Sequence, residues 1–80
     1  MARASQISIS RRALIQRLQR ALKEDELVLR TAHNERVRRK MGDYYTMDLR
    51  TSQVMETYVD LEDLGREYGV LKDYEKPEVD

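Results

Sequence analysis

One amphipathic stripe near the start of the chain restricts its possible folds more than any other feature. Between residues 11 and 23, apolar side chains recur at intervals of three and four, at Leu14, Ile15, Leu18 and Leu22. This spacing is typical of one face of an α-helix. The chain has 80 residues, enough for one domain with one core. The helix must therefore bury its stripe against whatever the remaining residues form.

Alternating residues after this helix predict strands at 27–32, at 44–49 and from 54 or 55 to 59. In the first strand, Leu27 and Leu29 share one face. Residues 33–42 lack alternation and predict a loop or a single helical turn. Asp60 is a suitable N-cap for a second helix, which Gly69 would end.

These elements predict an α+β fold in the order αβββα, a three-stranded antiparallel sheet with two helices packed on one face. We expect a flexible N-terminal arm over residues 1–8, a single domain over 9–71 and a disordered acidic tail over 72–80.

The register of the predicted hairpin decides which residues face the helices. We expect Leu49 to lie opposite Met55, because the neighbouring register would bury the unpaired carboxylate of Glu56 at a cost of several kcal/mol. Tyr45, Met47 and Leu49 would then face the helices.

The charges divide sharply along the sequence although the net charge is zero. Residues 1–41 contain eleven Lys or Arg and four acids, whereas residues 42–80 contain four and eleven. Such asymmetry points to an anionic partner for the basic half. The alternative is that the two halves neutralise each other across the fold.

The basic residues of the first half are candidates for nucleic-acid binding, because closely spaced cations neutralise phosphates. One group follows the first strand and consists of Arg36, Arg38, Arg39 and Lys40. The first helix extends it with Arg11, Arg12, Arg20 and Lys23. A solvated basic loop is the alternative interpretation.

The sheet face away from the helices is a candidate protein-binding surface. The expected register places Tyr44, Tyr58, Asp48 and Glu56 there. Tyr is enriched in protein interfaces, and the acids would repel phosphate. We expect the partner to be another protein or a second copy of this chain, which would form a homodimer.

Catalytic and metal-binding patterns are missing from the sequence. It has no Cys and one His, His33, which we interpret as a solvated loop residue. The acids Asp60, Glu62, Asp63 and Glu67 are better explained by helix capping and a solvated helix face than by metal binding. We expect no enzymatic activity and no cofactor. The longest apolar run has three residues, so we expect a cytoplasmic protein without a membrane span.

Two resemblances bear on function. The order αβββα is similar to that of double-stranded RNA-binding domains, but Asp60, Glu62 and Asp63 occupy the place of that family's lysine cluster. Residues 9–17, 42–45 and 59–62 resemble small uncharacterised proteins of proteobacterial plasmids, integrated elements and phages. This resemblance covers residues 9–71 and implies a bacterial cytoplasmic accessory protein without supplying an activity.

The sequence thus predicts a non-enzymatic module that binds nucleic acid through its basic half. The alternative is a mobile-element regulator or inhibitor that binds another protein through the Tyr-bearing sheet face.

Overall fold

The computed structural model describes residues 7–78, which form an α+β fold of three helices and five strands. In chain order the elements are β1 (Ile7–Ile9), α1 (Arg11–Glu24), β2 (Leu27–Thr31), α2 (Glu35–Met41), β3 (Tyr44–Asp48), β4 (Val54–Glu56), α3 (Leu61–Glu67) and β5 (Glu75–Pro77). The strands β2, β3 and β4 form a three-stranded antiparallel sheet in that order. The predicted fold class and sheet are therefore confirmed.

The helix α1 supplies the centre of the core. It begins where the Ser10 hydroxyl accepts a hydrogen bond of 3.1 Å from the Ala13 N–H, which satisfies one of the free donors of the first turn. Leu14, Leu18 and Leu22 are completely buried. The stripe seen in the sequence is thus the apolar face that organises the domain.

The helix α3 packs beside α1 on the same core. Its N-cap is Asp60, whose carboxylate accepts from the N–H groups of Glu62 and Asp63 at 2.9 and 3.1 Å. A side chain at Gly65 would lie 3.1 Å from the Leu14 methyl group, so this glycine permits the close approach of the two helices. The core cluster consists of Ile9, Leu14, Leu18, Leu22, Leu29, Leu64 and Leu71.

The structure reverses the expected faces of the sheet. Residues directly opposite each other in an antiparallel pair share a face, and Leu29 lies opposite Thr46. Thr46 is therefore on the side of α1 and α3, and Tyr44 packs against the core cluster. The prediction that Tyr45 and Met47 face these helices is wrong. Tyr45 is 7% exposed yet lies outside the core cluster, so alternation within β3 alone could not distinguish the two faces.

The predicted hairpin register is also wrong. Thr46 lies opposite Glu56 and Met47 opposite Val54, with an irregularity between the two pairs. The Thr46 hydroxyl accepts from the Glu56 N–H at 3.1 Å, which satisfies a polar group that is only 1% exposed. A β-bulge of this kind shifts the pairing by one residue, and Met55 remains 53% exposed.

The turn between β3 and β4 explains why Leu49 leaves the strand. The Asp48 carboxylate accepts from the N–H groups of Arg50 and Thr51 at 2.7 and 3.1 Å. These two hydrogen bonds lower the pKa of Asp48. They also close the turn immediately after β3, which leaves Leu49 52% exposed.

Both ends of the described chain are ordered in a second, two-stranded sheet. β1 pairs in parallel with β5, with Ile9 opposite Pro77. Residues 7–8 and 75–77, expected in the arm and the tail, are thus strands. Ile9 joins this sheet to the core cluster. Arg17 of α1 adds polar contacts, because it donates to the Glu75 carboxylate at 2.9 Å and to the Val70 carbonyl at 3.0 Å. The predictions for residues 1–6 and 79–80 lie outside the described residues.

Candidate nucleic-acid interface

The basic segment expected to be a loop or a single turn is the helix α2. The Asn34 side chain caps it by accepting from the Val37 N–H at 2.9 Å. Val37 and Met41 are half-buried and four residues apart, so they occupy the inner side of α2. Helical spacing then directs a triad of exposed cations toward solvent, namely Arg36, Arg39 and Lys40. We call these three residues the basic triad.

Arg38 differs from the other three predicted residues of this segment. Its guanidinium contacts the Glu35 carboxylate at 3.1 Å and the Asp43 carboxylate at 2.9 Å. The contact with Asp43 links α2 to the segment that follows it. Arg38 is thus neutralised within the protein, unlike the residues of the basic triad.

The predicted cations of α1 lie on its solvent side. Arg12, Arg20 and Lys23 are exposed and point away from the buried leucines. Within residues 7–78, neither they nor the basic triad form an ion pair. By contrast, Arg17 and Arg66 are held by Glu75 and Glu62.

One cation of α1 lies near one cation of α2. Arg11 and Arg38 line one depression of about 430 Å³ together with Thr31, Asp43 and Tyr44. Arg30, which is not among the predicted binding residues, is exposed on the sheet face opposite the core. Its position in the strand that precedes the basic segment is the sequence feature that could have identified it as a further candidate.

The C-terminal end of α2 carries a contact that the sequence did not reveal. The helix ends at Gly42, which has φ 83° and ψ −176°, a conformation essentially limited to glycine. Tyr58 crosses this end: its N–H donates to the Met41 carbonyl at 2.7 Å, and its hydroxyl donates to the Arg39 carbonyl. Tyr58 therefore satisfies two carbonyls that the helix leaves free.

A groove of about 540 Å³ lies beside this junction. Its apolar wall is formed by Leu14, Tyr44, Tyr58, Val59, Leu61 and Pro77. Its charged lining comprises Arg11, Lys76, Asp43, Asp60, Glu62 and Glu78. Three of these acids already have internal partners, because Asp43 and Glu62 pair with arginines and Asp60 caps α3.

Three of the four residues expected to form an open protein-binding face, Tyr44, Asp48 and Glu56, share one face of the sheet, but it is the face that α1 and α3 cover. Tyr44 packs against the core on the helix side, whereas Tyr58 lies at the end of α2. Asp48 binds the backbone of the turn after β3, and Glu56 is exposed on β4. Tyr44 and Tyr58 both line the groove.

The acids at and within α3 have structural roles or remain solvated. Asp60 caps α3, and Glu62 pairs with Arg66 at 2.9 Å. Asp63 and Glu67 are exposed on α3. Over residues 7–78, no group of three or more His, Cys, Asp or Glu side chains is arranged to hold a metal ion.

None of the helices in residues 7–78 is long and apolar enough to cross a membrane. Comparison of the chain with protein-family models, curated protein sequences and solved structures found no significant match.

Proposed function

We propose that this protein is a non-enzymatic nucleic-acid-binding module of the bacterial cytoplasm. The observation that supports this most directly is the basic triad, in which Arg36, Arg39 and Lys40 extend from one side of α2 without an internal counter-charge in the described chain. Cations placed in this way can each neutralise a phosphate and release its counterions.

The cations of α1 extend the same proposal. Arg12, Arg20 and Lys23 are exposed, and the depression shared by Arg11 and Arg38 connects their helix to α2. A backbone that crosses this depression would contact both helices. We assign the main phosphate contacts to the basic triad, because its three cations lie close together, within about one and a half turns of α2.

The alternative prediction, a regulator that binds another protein through a Tyr-bearing sheet face, requires four residues on one open face. The fold instead places Tyr44, Asp48 and Glu56 on the face covered by the helices and Tyr58 at the end of α2. We therefore propose nucleic acid, rather than a protein, as the partner.

A matched pair of double variants tests the proposal. Arg36→Glu with Arg39→Glu removes two cations of the basic triad, whereas Arg50→Glu with Lys72→Glu makes the same charge change elsewhere. Fluorescence anisotropy with a labelled oligonucleotide at several salt concentrations measures both affinity and salt dependence. If the basic triad contacts three phosphates of a duplex, the slope of log affinity against log salt should be about −2.7 in the wild type.

The first double variant should reduce the magnitude of that slope by about 1.8, because two phosphate contacts are lost. The second should leave the slope nearly unchanged. Absence of binding by the wild type at low salt contradicts the proposal. Equal losses in the two variants also contradict it, because they would reflect net charge rather than a defined surface.

A further inference from the structure

Tyr58 combines backbone strain with exposure. Its φ is 53°, in the left-handed region that an aromatic residue rarely adopts. Its side chain gains little burial in return, because the residue is 63% exposed. Strained conformations persist where surrounding contacts hold them, and they concentrate at functional sites.

Three contacts hold the ring in place. The Tyr58 N–H donates to the Met41 carbonyl, and the hydroxyl donates to the Arg39 carbonyl. A Cβ at Gly42 would lie 2.8 Å from the Tyr58 ring carbon Cδ1, so the ring occupies space that only a glycine leaves open. The ring is therefore oriented before any ligand arrives, which lowers the entropy cost of binding.

The position of the ring relates it to the basic triad. Its hydroxyl contacts the backbone of Arg39 itself, which is a member of the triad. Tyr58 also lines the groove that contains Tyr44. An exposed aromatic residue thus adjoins both the unpaired cations of the basic triad and a groove with one apolar wall.

The groove can accept an uncharged, planar ring that is attached to a negatively charged chain. Of the four acids in its lining, Asp43, Asp60 and Glu62 are engaged by Arg38, the α3 backbone and Arg66, which reduces their repulsion of a nearby phosphate. The fourth, Glu78, lines the groove together with the cations Arg11 and Lys76. A volume of about 540 Å³ exceeds that of one nucleobase, and the apolar wall suits its stacking face.

We infer that this protein binds single-stranded nucleic acid, with one unstacked base on the ring of Tyr58 and the adjoining phosphates on the basic triad. The inference rests on the proposed function and specifies its substrate class. A duplex cannot present a base to the ring in this way, because its bases are paired and stacked. Single strands offer their bases to aromatic side chains regardless of sequence.

The test compares a labelled single strand of twelve nucleotides with the duplex of the same sequence by fluorescence anisotropy. Tyr58→Leu should weaken binding of the single strand about 5- to 140-fold, the range for one base stacked on an aromatic ring. It should leave duplex binding unchanged. Tyr58→Phe should retain most of the single-strand affinity, because the ring remains.

The matched control is Tyr74→Leu. Tyr74 is 47% exposed and lines a separate depression, in which Arg20 is the only described residue of the proposed interface, so its loss should weaken binding much less than the loss of Tyr58. A second measurement does not depend on the fold of any variant: an abasic strand keeps the phosphates but lacks the bases. The wild-type protein should bind it more weakly than the complete strand by the same factor.

The outcomes separate the inference from the proposed function. If the wild type binds the duplex as tightly as the single strand, or the abasic strand as tightly as the complete one, the inference is overturned. Sensitivity to Arg36→Glu with Arg39→Glu would then still support the proposed function. Equal affinities of Tyr58→Leu and Tyr74→Leu for the single strand would also overturn the inference. The ring of Tyr58 would then serve a different partner. Absence of binding to either nucleic acid overturns both.

Discussion

The side-chain amide of Gln19 pairs with both backbone groups of Leu29. Its nitrogen donates to the Leu29 carbonyl at 2.7 Å, and its oxygen accepts from the Leu29 N–H at 2.9 Å. Leu29 lies in β2, at one edge of the three-stranded sheet. A glutamine of α1 thus occupies the hydrogen-bonding position that a further strand would take. Open sheet edges invite pairing with other chains, and natural proteins protect them.

Replacing Gln19 with leucine should destabilise the fold by about 1–3 kcal/mol, because two partly buried backbone groups of Leu29 lose their partners. Urea unfolding followed by circular dichroism measures the change in the free energy of unfolding. The control is Gln16→Leu, an exposed position on the same helix, which should change stability by no more than about 0.5 kcal/mol. Equal effects of the two variants would show that the pairing contributes nothing. Sedimentation velocity should also detect greater self-association of Gln19→Leu, since the edge of β2 becomes free.

Gly42 should tolerate alanine far less well than Gly69 does. Both glycines have positive φ, 83° and 70°. At Gly42 an added Cβ would lie 2.7 Å from the Tyr58 α-carbon, whereas at Gly69 it would meet nothing within 4 Å. Gly69→Ala should cost about 1–2 kcal/mol from backbone strain alone. Gly42→Ala should cost more, because Tyr58 and the end of α2 must move apart. Thermal unfolding of the two variants compares them, and similar melting temperatures would contradict this prediction.

Stability should decrease in acid partly through Glu75. The hydrogen bond from Arg17, followed by that from the Lys72 N–H, lowers the pKa of Glu75 from its ordinary value of 4.5. The folded state therefore favours the ionised carboxylate. This contribution to the free energy of unfolding is fully present above pH 4.5 and is lost as the pH falls through the lower, folded pKa.

Glu75→Gln should remove that part of the pH dependence, as measured by urea unfolding at several pH values between 2 and 7. Asp48, whose pKa is also lowered, should retain its own dependence in this variant and lose it in Asp48→Asn. A Glu75→Gln protein whose stability varies with pH as the wild type's does would contradict the assignment to Glu75.

The local pattern of the sequence predicted the elements whose stability depends on residues near in the chain. The apolar spacing of Leu14, Leu18 and Leu22 identified α1, and the Asp60 cap marked the start of α3. All of these signals act over three or four residues, so a linear pattern contains them. The strands of the antiparallel sheet were found for the same reason, although with longer predicted bounds.

The candidate site was predicted in part. The exposure of the basic triad follows from its composition, because cations are seldom buried without partners. That Arg38 is neutralised by Asp43, and that Tyr58 lies against Gly42, depends on residues brought together by the fold. Nothing in the local sequence distinguishes Arg38 from Arg39.

By itself, then, the sequence determined the fold class, the helices with strong caps and stripes, and the separation of basic from acidic residues. Only the tertiary structure decided which face of β3 is covered, where the hairpin bulges, and that residues 7–9 pair with residues 75–77. Each of these depends on contacts between segments far apart in the chain. Tyr44, Tyr45 and Met47 all have enough apolar surface to be buried, so hydrophobicity left both faces of β3 open. The pairing of Leu29 with Thr46 places Tyr44 on the core side and Tyr45 and Met47 on the other.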